Sequence, residues 1–398
     1  MKDIFIMAHS MELGGAEKSL LGILENFDYQ KYNVDLFLLR HQGELIDYIP
    51  QKVNVLPENK CYSSLGIPIM NVIRKGNFKI AYGRYIGKRK AIKRIQQLQI
   101  TTDHNIINEY SHKYTVNYLP IISHKKYDLA ISFMSPHYFI AKNVIAEKKV
   151  AWIHTDYSTF LVDVDSETDM WNQYDEIISI SDAAKESFLR TFPVFEKKVK
   201  VIENIIPINY IKSLSDAFSV EHEMVNDGSI KLLSIGRFTF PKRFDEVPQM
   251  CKIIRDNGLN VKWYLIGFGG DEKLINSQIE KEHIKEYVIN LGKKENPYPY
   301  IKACDFYIQP SRYEGKSIAV REAQIFSKPV VITDFSTAHS QLRDGVDGLI
   351  VPMNLVGASN GISEFIRNTS LQKQIVENTK KNDYVGKNEI NKLYALLE

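Results

Sequence analysis

The sequence predicts an α/β protein built from two parallel-sheet domains, and three observations lead there. Short apolar runs alternate with longer mixed segments, which is the rhythm of strand-helix-strand units. The rhythm runs through the chain twice. At 398 residues, 44% of them hydrophobic, the chain also exceeds what one hydrophobic core usually serves.

In the first series the apolar runs place strands at residues 4–7, 34–39, 129–133, 150–154, 177–181 and 200–202. In the second they fall at 231–235, 262–266, 287–291, 306–309, 329–333 and 348–351. Between the series, residues 204–228 turn polar and irregular, with Pro207 and the run Glu221-His222-Glu223. The boundary belongs there, giving a first domain of 1–205 and a second of 206–378. The tail from 363 to 398 carries Ile375, Ile390, Leu393 and Leu397 at helical spacing. A final helix over about 379–398 is expected, free to cross back onto the first domain.

Composition narrows the function classes. A net charge of +3 over the whole chain gives no argument for nucleic acid. Cys61, Cys251 and Cys304 are far apart and lack metal-ligand spacing, so neither a disulfide framework nor a zinc site is suggested. A reducing cytoplasm fits. The first eight residues lack the long apolar stretch of a signal peptide, and no segment reaches the ~18 apolar residues of a spanning helix. Any membrane contact is therefore expected to be peripheral.

The most informative run is Cys304-Asp305-Phe306-Tyr307-Ile308-Gln309-Pro310-Ser311-Arg312-Tyr313-Glu314-Gly315-Lys316-Ser317-Ile318-Ala319-Val320-Arg321-Glu322-Ala323. It reads as a strand, a glycine-containing loop and a helix beginning near Ser317. Backbone N–H groups of such a loop and the helix dipole favour an anion, and a diphosphate suits them. Glu314 falls in the loop and Glu322 in the helix, roughly 8 Å apart or somewhat more at 1.5 Å per helical residue. Carboxylates accept hydrogen bonds from vicinal hydroxyls, so one can hold a sugar and the other a ribose. Upstream, Ser234-Ile235-Gly236-Arg237 ends a strand and is followed closely by Lys242 and Arg243, cations able to neutralise a diphosphate.

Together with the strand Lys328-Pro329-Val330-Val331-Ile332-Thr333-Asp334 and the run Asp344-Gly345-Val346-Asp347-Gly348, this region resembles the Glu-x7-Glu segment of the family 4 retaining glycosyltransferases. The likeness covers most of the chain and is weakest between about residues 60 and 125. It implies the GT-B fold, two Rossmann-like domains facing a central cleft, the first (1–205) binding the acceptor and the second (206–378) the nucleotide sugar, and a type found in bacterial capsule, exopolysaccharide and other surface-glycan synthesis. It assigns Glu314 to the transferred sugar and Glu322 to the ribose. The Gly-Arg-x-x-x-x-Lys pattern puts Arg237 and Lys242 on the diphosphate in place of a metal ion, with no cofactor. Lys316 and Ser317 stand where many members have Phe and Pro, next to Gly315 in the sugar pocket.

The same resemblance gives roles to further residues. Leu265-Ile266-Gly267-Phe268-Gly269-Gly270 lies along the nucleotide, and Lys294 near the base. Gly14 and Gly15, which follow the first strand, face the donor's phosphates and sugar; their loop is not a dinucleotide fingerprint, which disfavours hydride transfer. His154, ending an apolar strand, contacts the donor sugar near its reacting carbon. Asn204 reads as structural. The implied partners are a nucleotide sugar, most commonly of UDP, and a lipid-linked or polysaccharide acceptor. The competing readings are a nucleotide-sugar epimerase of the same fold and a non-catalytic sugar-nucleotide-binding partner protein.

Basicity is concentrated in residues 74–94: Arg74, Lys75, Lys79, Arg84, Lys88, Arg89, Lys90, Lys93 and Arg94, with no acidic residue among them. Without these nine the net charge of +3 would become −6. Ile73, Phe78, Ile80, Tyr82, Tyr85 and Ile86 interleave with them, the pattern of a segment that lies on anionic lipid. Nucleic acid is not expected, since no binding motif accompanies the patch. The sequence thus points to the inner face of a cell membrane.

Overall fold

The apolar runs form parallel strands flanked by helices in a computed structural model that describes residues 1–12, 14–100, 104–155, 157, 161–314 and 317–398. Strands β1 (Lys2–Ala8), β2 (Tyr32–Leu38), β3 (Asn54–Val55), β4 (Ser123–Ser132), β5 (Val144–Ile153), β6 (Glu176–Ser179) and β7 (Val199–Val201) form one sheet in the order β3-β2-β1-β4-β5-β6-β7. Strands β8 (Ile230–Ile235), β9 (Val261–Ile266), β10 (Val288–Gly292), β11 (Phe306–Gln309), β12 (Val330–Thr333) and β13 (Leu349–Val351) form a second, ordered β10-β9-β8-β11-β12-β13. Every ladder between these strands is parallel. Parallel strands need helical crossovers, which cover both faces and explain why β1 is buried continuously from Ile4 to Ala8.

β4 and β5 start earlier than their apolar runs suggest. Their polar leading halves are held by pairing across the ladder, including Lys126 to Glu147 at 2.9 Å. β3 was not foreseen, being two exposed residues without an apolar run.

The chain divides into two units, Met1–Pro207 with Gly386–Glu398, and Ile208–Val385. The first is centred on Phe5, Phe37, Tyr62, Tyr127, Phe139 and Trp171, the second on Val247, Met250, Trp263, Leu265, Ile308 and Phe365. The tail departs from the sequence expectation. Instead of one helix over 379–398, a helix ends at Lys381, residues 382–388 are non-helical with Gly386 at φ 81°, and a short helix Glu389–Tyr394 follows. Asn382, Asp383 and Gly386 are poor helix formers, which accounts for the break. The last segment belongs to the first unit: Tyr394 stacks on Tyr32 with centroids 4.6 Å apart, and Glu389 accepts from the Glu203 N–H at 2.9 Å.

The basic segment forms the helices Ile69–Arg74 and Phe78–Gln97. The longer one packs against the helix His104–Thr115 through Gly83 and Gly87, where a Cβ would stand 2.9 Å from Thr115 Cα and 2.5 Å from Tyr110 O. Only glycine permits that approach. Two expectations are corrected here. Ile80 lies in the core, not among the outward aromatics, and two of the nine cations are committed inside the unit. Arg84 donates to Ile67 O at 2.5 Å, and Arg94 pairs with Asp163 at 2.8 Å and Asp165 at 2.6 Å. The outer face keeps Phe78, Tyr82 and Tyr85, exposed by 65, 55 and 51%, with the other seven cations exposed beside them.

In both sheets the strand order reverses beside the first strand, between β1 and β4 and between β8 and β11. Crevices open at the carboxyl ends of strands at such points, and Gly14 and Gly15 follow β1, Arg237 and Lys242 follow β8, and Glu314 follows β11.

Candidate active site

In the second unit, β8 runs out at Ile235 into Gly236, the exposed Arg237 and a short turn, Phe240–Lys242. From β11 the chain runs through Pro310 to Glu314. The Lys242 ammonium and the Glu314 carboxylate form an ion pair, with side chains only 22 and 11% exposed. Ser311 Oγ also donates to Glu314 at 3.2 Å, Gln309 Nε2 donates to that hydroxyl at 2.9 Å, and Tyr307 OH donates to Gln309 Oε1 at 2.8 Å. This buried relay fixes the carboxylate from below, while Thr337 Oγ1 fixes the Glu314 carbonyl at 2.7 Å.

The two loops are clamped together by Arg312. Its guanidinium reaches Asp245 at 2.8 Å, Glu246 at 2.6 Å and Phe240 O at 2.8 Å, and its N–H donates to Pro241 O at 2.7 Å. Arg243, grouped with the diphosphate cations on sequence grounds, is not available for that task. It is buried, sits in the left-handed region at φ 60°, and spends its donors on Glu246 and on Met353 O at 2.5 Å. Arg237 makes no ion pair among the described residues.

Glu322 lies on the helix Ile318–Ile325, 4% exposed, and accepts from Tyr298 OH at 3.0 Å. Ser317 caps this helix, and its N–H donates to Gln341 Oε1 at 2.6 Å. Gly315 and Lys316 lie outside the described residues. Gly267 and Gly269 follow β9, where a Cβ would stand 1.9 Å from Gly236 O and 2.3 Å from Phe238 O. They are glycines because the β9 loop lies directly against the β8 loop. Lys294 pairs with Glu223 at 2.6 Å and stands over the Tyr300 ring, partners not shared with Lys242 or Glu314.

In the first unit, Gly14 precedes the helix Gly15–Asn26, and a Cβ on it would meet the Glu17 carboxylate at 2.0 Å. His154 follows β5, with its ring 4.5 Å from that of Phe133 and stacked over Trp152. Burial pushes its imidazole down to about 4, so the ring is neutral near pH 7, and its Nε2 is buried without a partner among the described residues. It lines a cavity of about 490 Å3 with Glu109, Glu167, Tyr138, Tyr157 and Trp152. Burial, and then the Glu109 charge, raise the Glu167 carboxyl to about 8.

Sequence reasoning did not identify Ser311, Arg312, Tyr298 or Thr337. Ser311 and Arg312 stand beside Glu314 in the run already read, and a buried polar pair at a strand end was the available signal. Glu109 and Glu167 carry no local pattern.

Residues 218–382 match the family "Glycosyl transferases group 1". Over 216 residues, 52% of this chain and 56% of the relative, the sequence is 26% identical to the Staphylococcus aureus capsular polysaccharide biosynthesis glycosyltransferase CapM. The chain spans about half the length of most of the curated relatives it matches. The fold is similar to that of Anabaena HepE in complex with UDP and glucose, with TM-score 0.62, 18% identity, and 99 and 98% of the two chains covered. It is likewise similar to an S. aureus TarM variant in complex with fondaparinux, alpha-GlcNAc-glycerol and UDP, with TM-score 0.63, 15% identity and both chains fully covered. Residues 218–382 therefore carry the match to the group 1 glycosyl transferases, in a chain whose two parallel sheets have the GT-B fold.

Proposed function

We propose that the protein is a retaining, metal-independent glycosyltransferase. It moves a hexose or N-acetylhexosamine from a nucleotide-diphosphate sugar, UDP being the first choice, to a lipid-linked or polysaccharide acceptor in bacterial surface-glycan synthesis. The observation that carries this reading is the pairing of Lys242 with Glu314 at the β8/β11 switch point, on the chain segment that also bears Glu322. CapM as a capsular enzyme, and the UDP bound to HepE and TarM, support the substrate classes.

In this mechanism Lys242 and Arg237 neutralise the diphosphate as the glycosidic bond breaks, supplying the charge stabilisation a metal would otherwise give. Glu314 holds hydroxyls of the transferred sugar and Glu322 those of the ribose. The loop of Gly315, Lys316 and Ser317 borders the sugar, and Gly267 and Lys294 border the nucleotide. The family resemblance assigns Gly14 and Gly15 to the donor's phosphates. Neutral His154 offers hydrogen bonding near the reacting carbon without adding charge. The leaving phosphate takes the acceptor's proton on the same face, a route that requires positioning and charge stabilisation but no protein nucleophile.

The outer face of residues 74–94, with exposed aromatics among seven exposed cations, supports a peripheral position at the inner face of the membrane, where lipid-linked acceptors are presented. The deciding experiment is a donor panel incubated with extracted lipid-linked acceptor, with and without EDTA, the product's anomeric configuration being read by NMR. A retained anomer formed in EDTA, and lost in Glu314→Ala, is expected. An inverted product refutes retention, and sugar interconversion without acceptor identifies an epimerase instead.

A further inference from the structure

β11 runs between β8 and β12 in the middle of the second sheet, where both strand faces are covered and apolar side chains are the rule. Phe306 and Ile308 follow that rule and join the second core. On the other face stand Tyr307 and Gln309, continued past the strand end by Ser311, and all three are fully buried. Residues two apart share one face of a strand, so these polar groups form a row that leads to Glu314. Buried polar side chains demand a complete set of partners, whereas aliphatic ones would fill the same space without that demand. A sequence breaks the pattern of its own core mainly where function requires it.

The bonds along the row have a direction. Burial pushes the Tyr307 phenol well above its ordinary range, so it keeps its hydrogen, which goes to Gln309 Oε1 at 2.8 Å rather than to Ile235 O at 3.4 Å. With its carbonyl oxygen engaged in this way, the Gln309 amide presents Nε2 to Ser311 Oγ at 2.9 Å. The serine oxygen accepts from Gln309 and gives its own hydrogen to Glu314 Oε1 at 3.2 Å. Thr333 Oγ1 donates to the Ser311 carbonyl at 2.5 Å and holds the serine backbone. Lys242 pairs with the same carboxylate oxygen, so both side-chain donors to Glu314 among the described residues fall on Oε1.

We propose that Gln309 is a positioning residue for Glu314: its amide, oriented by Tyr307, turns the Ser311 hydroxyl onto Oε1, which leaves Oε2 to accept from a hydroxyl of the donor's sugar. This rests on the transferase reading above and adds how Glu314 is aimed. A carboxylate free to rotate would divide its two oxygens between protein and ligand, whereas one anchored through a single oxygen offers the other in a fixed direction. A carboxylate oxygen only accepts, so the sugar group it reads must carry a hydrogen to donate.

The test is calorimetric titration of the full chain with UDP, UDP-glucose, UDP-galactose and UDP-N-acetylglucosamine, taking for each UDP sugar the ratio of its Kd to that of UDP. Gln309→Met keeps much of the volume and removes the amide, and Ser311→Ala removes the hydroxyl. For the UDP sugar that the wild type binds best, each variant should raise the ratio about tenfold, the scale of one hydrogen bond to a charged group, with UDP affinity itself unchanged. The Gln309→Met/Ser311→Ala double variant should be no worse than Ser311→Ala. In the Glu314→Ala background Gln309→Met should change nothing further, because Gln309 acts only through Ser311 and Glu314. A ratio unmoved by either single variant, UDP binding weakened as much as UDP-sugar binding, or a Gln309→Met effect that survives Glu314→Ala overturns the proposal and leaves the donor reading standing. A wild-type chain that binds neither UDP nor any of the three UDP sugars removes the donor reading, and the proposal with it.

Discussion

Lys242 and Glu314 are 72 positions apart in sequence, yet their charges pair at the adjoining ends of β8 and β11, in a site where each side chain is largely covered. Removing the lysine takes away diphosphate stabilisation and also leaves a partly buried carboxylate uncompensated. Lys242→Ala should therefore lower kcat/KM by about 100- to 1,000-fold. It should also cost about 2 kcal/mol of stability. The Lys242→Ala/Glu314→Ala double variant should regain much of that stability and none of the activity. Melting curves and steady-state rates of the three proteins check this, and a double variant no more stable than the single lysine variant would count against the pairing.

The Tyr298 hydroxyl donates to Glu322 at 3.0 Å in a buried setting. Tyr298→Phe keeps the ring and removes the donor, so about 1–2 kcal/mol of stability should be lost. Because Glu322 is proposed to hold ribose, donor KM should rise while kcat changes little. A kcat loss with unchanged KM would contradict the assigned role.

Gly267 and Gly270 offer a matched comparison. A methyl at Gly267 would sit 1.9 Å from Gly236 O, whereas one at Gly270 meets nothing within 4 Å. Gly267→Ala must push the β8 loop, and with it Lys242, so it should destabilise by about 1–3 kcal/mol and weaken UDP binding. Gly270→Ala should stay within about 0.5 kcal/mol. Denaturant titration and UDP calorimetry on both variants decide the point.

The buried ionisable groups of the first unit set a pH optimum for stability. His112 and His154 are held at about 4 and His137 at about 3, below an ordinary 6.5, so unfolding takes up protons in acid and stability falls as pH drops below about 6.5. Glu167 acts in the opposite sense. Raised to about 8 from 4.5, its contribution is full below 4.5 and is lost as pH rises through 8. The three histidines outweigh Glu167 on the acid side, and Glu167 acts above 6.5. Thermal unfolding between pH 4 and 9 should show a maximum near 6.5, and Glu167→Gln should flatten the alkaline side. Stability still rising from pH 6.5 to 8 in the wild type would refute the assignment.

Charge reversal of Lys88, Arg89, Lys90 and Lys93 together should reduce sedimentation with anionic liposomes by about tenfold or more, since each cation near such a surface contributes about 1 kcal/mol. UDP affinity should not change. Sedimentation equal to wild type would remove the membrane proposal while leaving the donor site untouched.

Periodicity made the strands and the two sheets legible, because a buried parallel strand is apolar along most of its length. It failed where polar residues extend β4 and β5 through ladder pairing, and where β3 is only two exposed residues. Motif spacing singled out Glu314, Glu322 and Lys242, but the groups that hold them were hidden by distance: Tyr298 and Thr337 reach Glu322 and Glu314 from separate helices and loops. Arg243 shows the opposite case, a cation beside the Gly-Arg-x-x-x-x-Lys pattern whose backbone turns it inward. The carboxyl-lined cavity was invisible because Glu109 and Glu167 meet only through tertiary packing.

The return of Gly386–Glu398 to the first unit has a consequence for synthesis. The second unit is an insertion, with the chain leaving its host at Pro207 and rejoining it at Gly386. On a ribosome, residues 208–385 emerge complete and can fold while the first unit still waits for its final turn. The stack of Tyr394 on Tyr32 joins a residue made before the second unit to one made after it. Nascent chains halted before that turn emerges should therefore protect the inserted unit from protease first, leaving its host the last part to close.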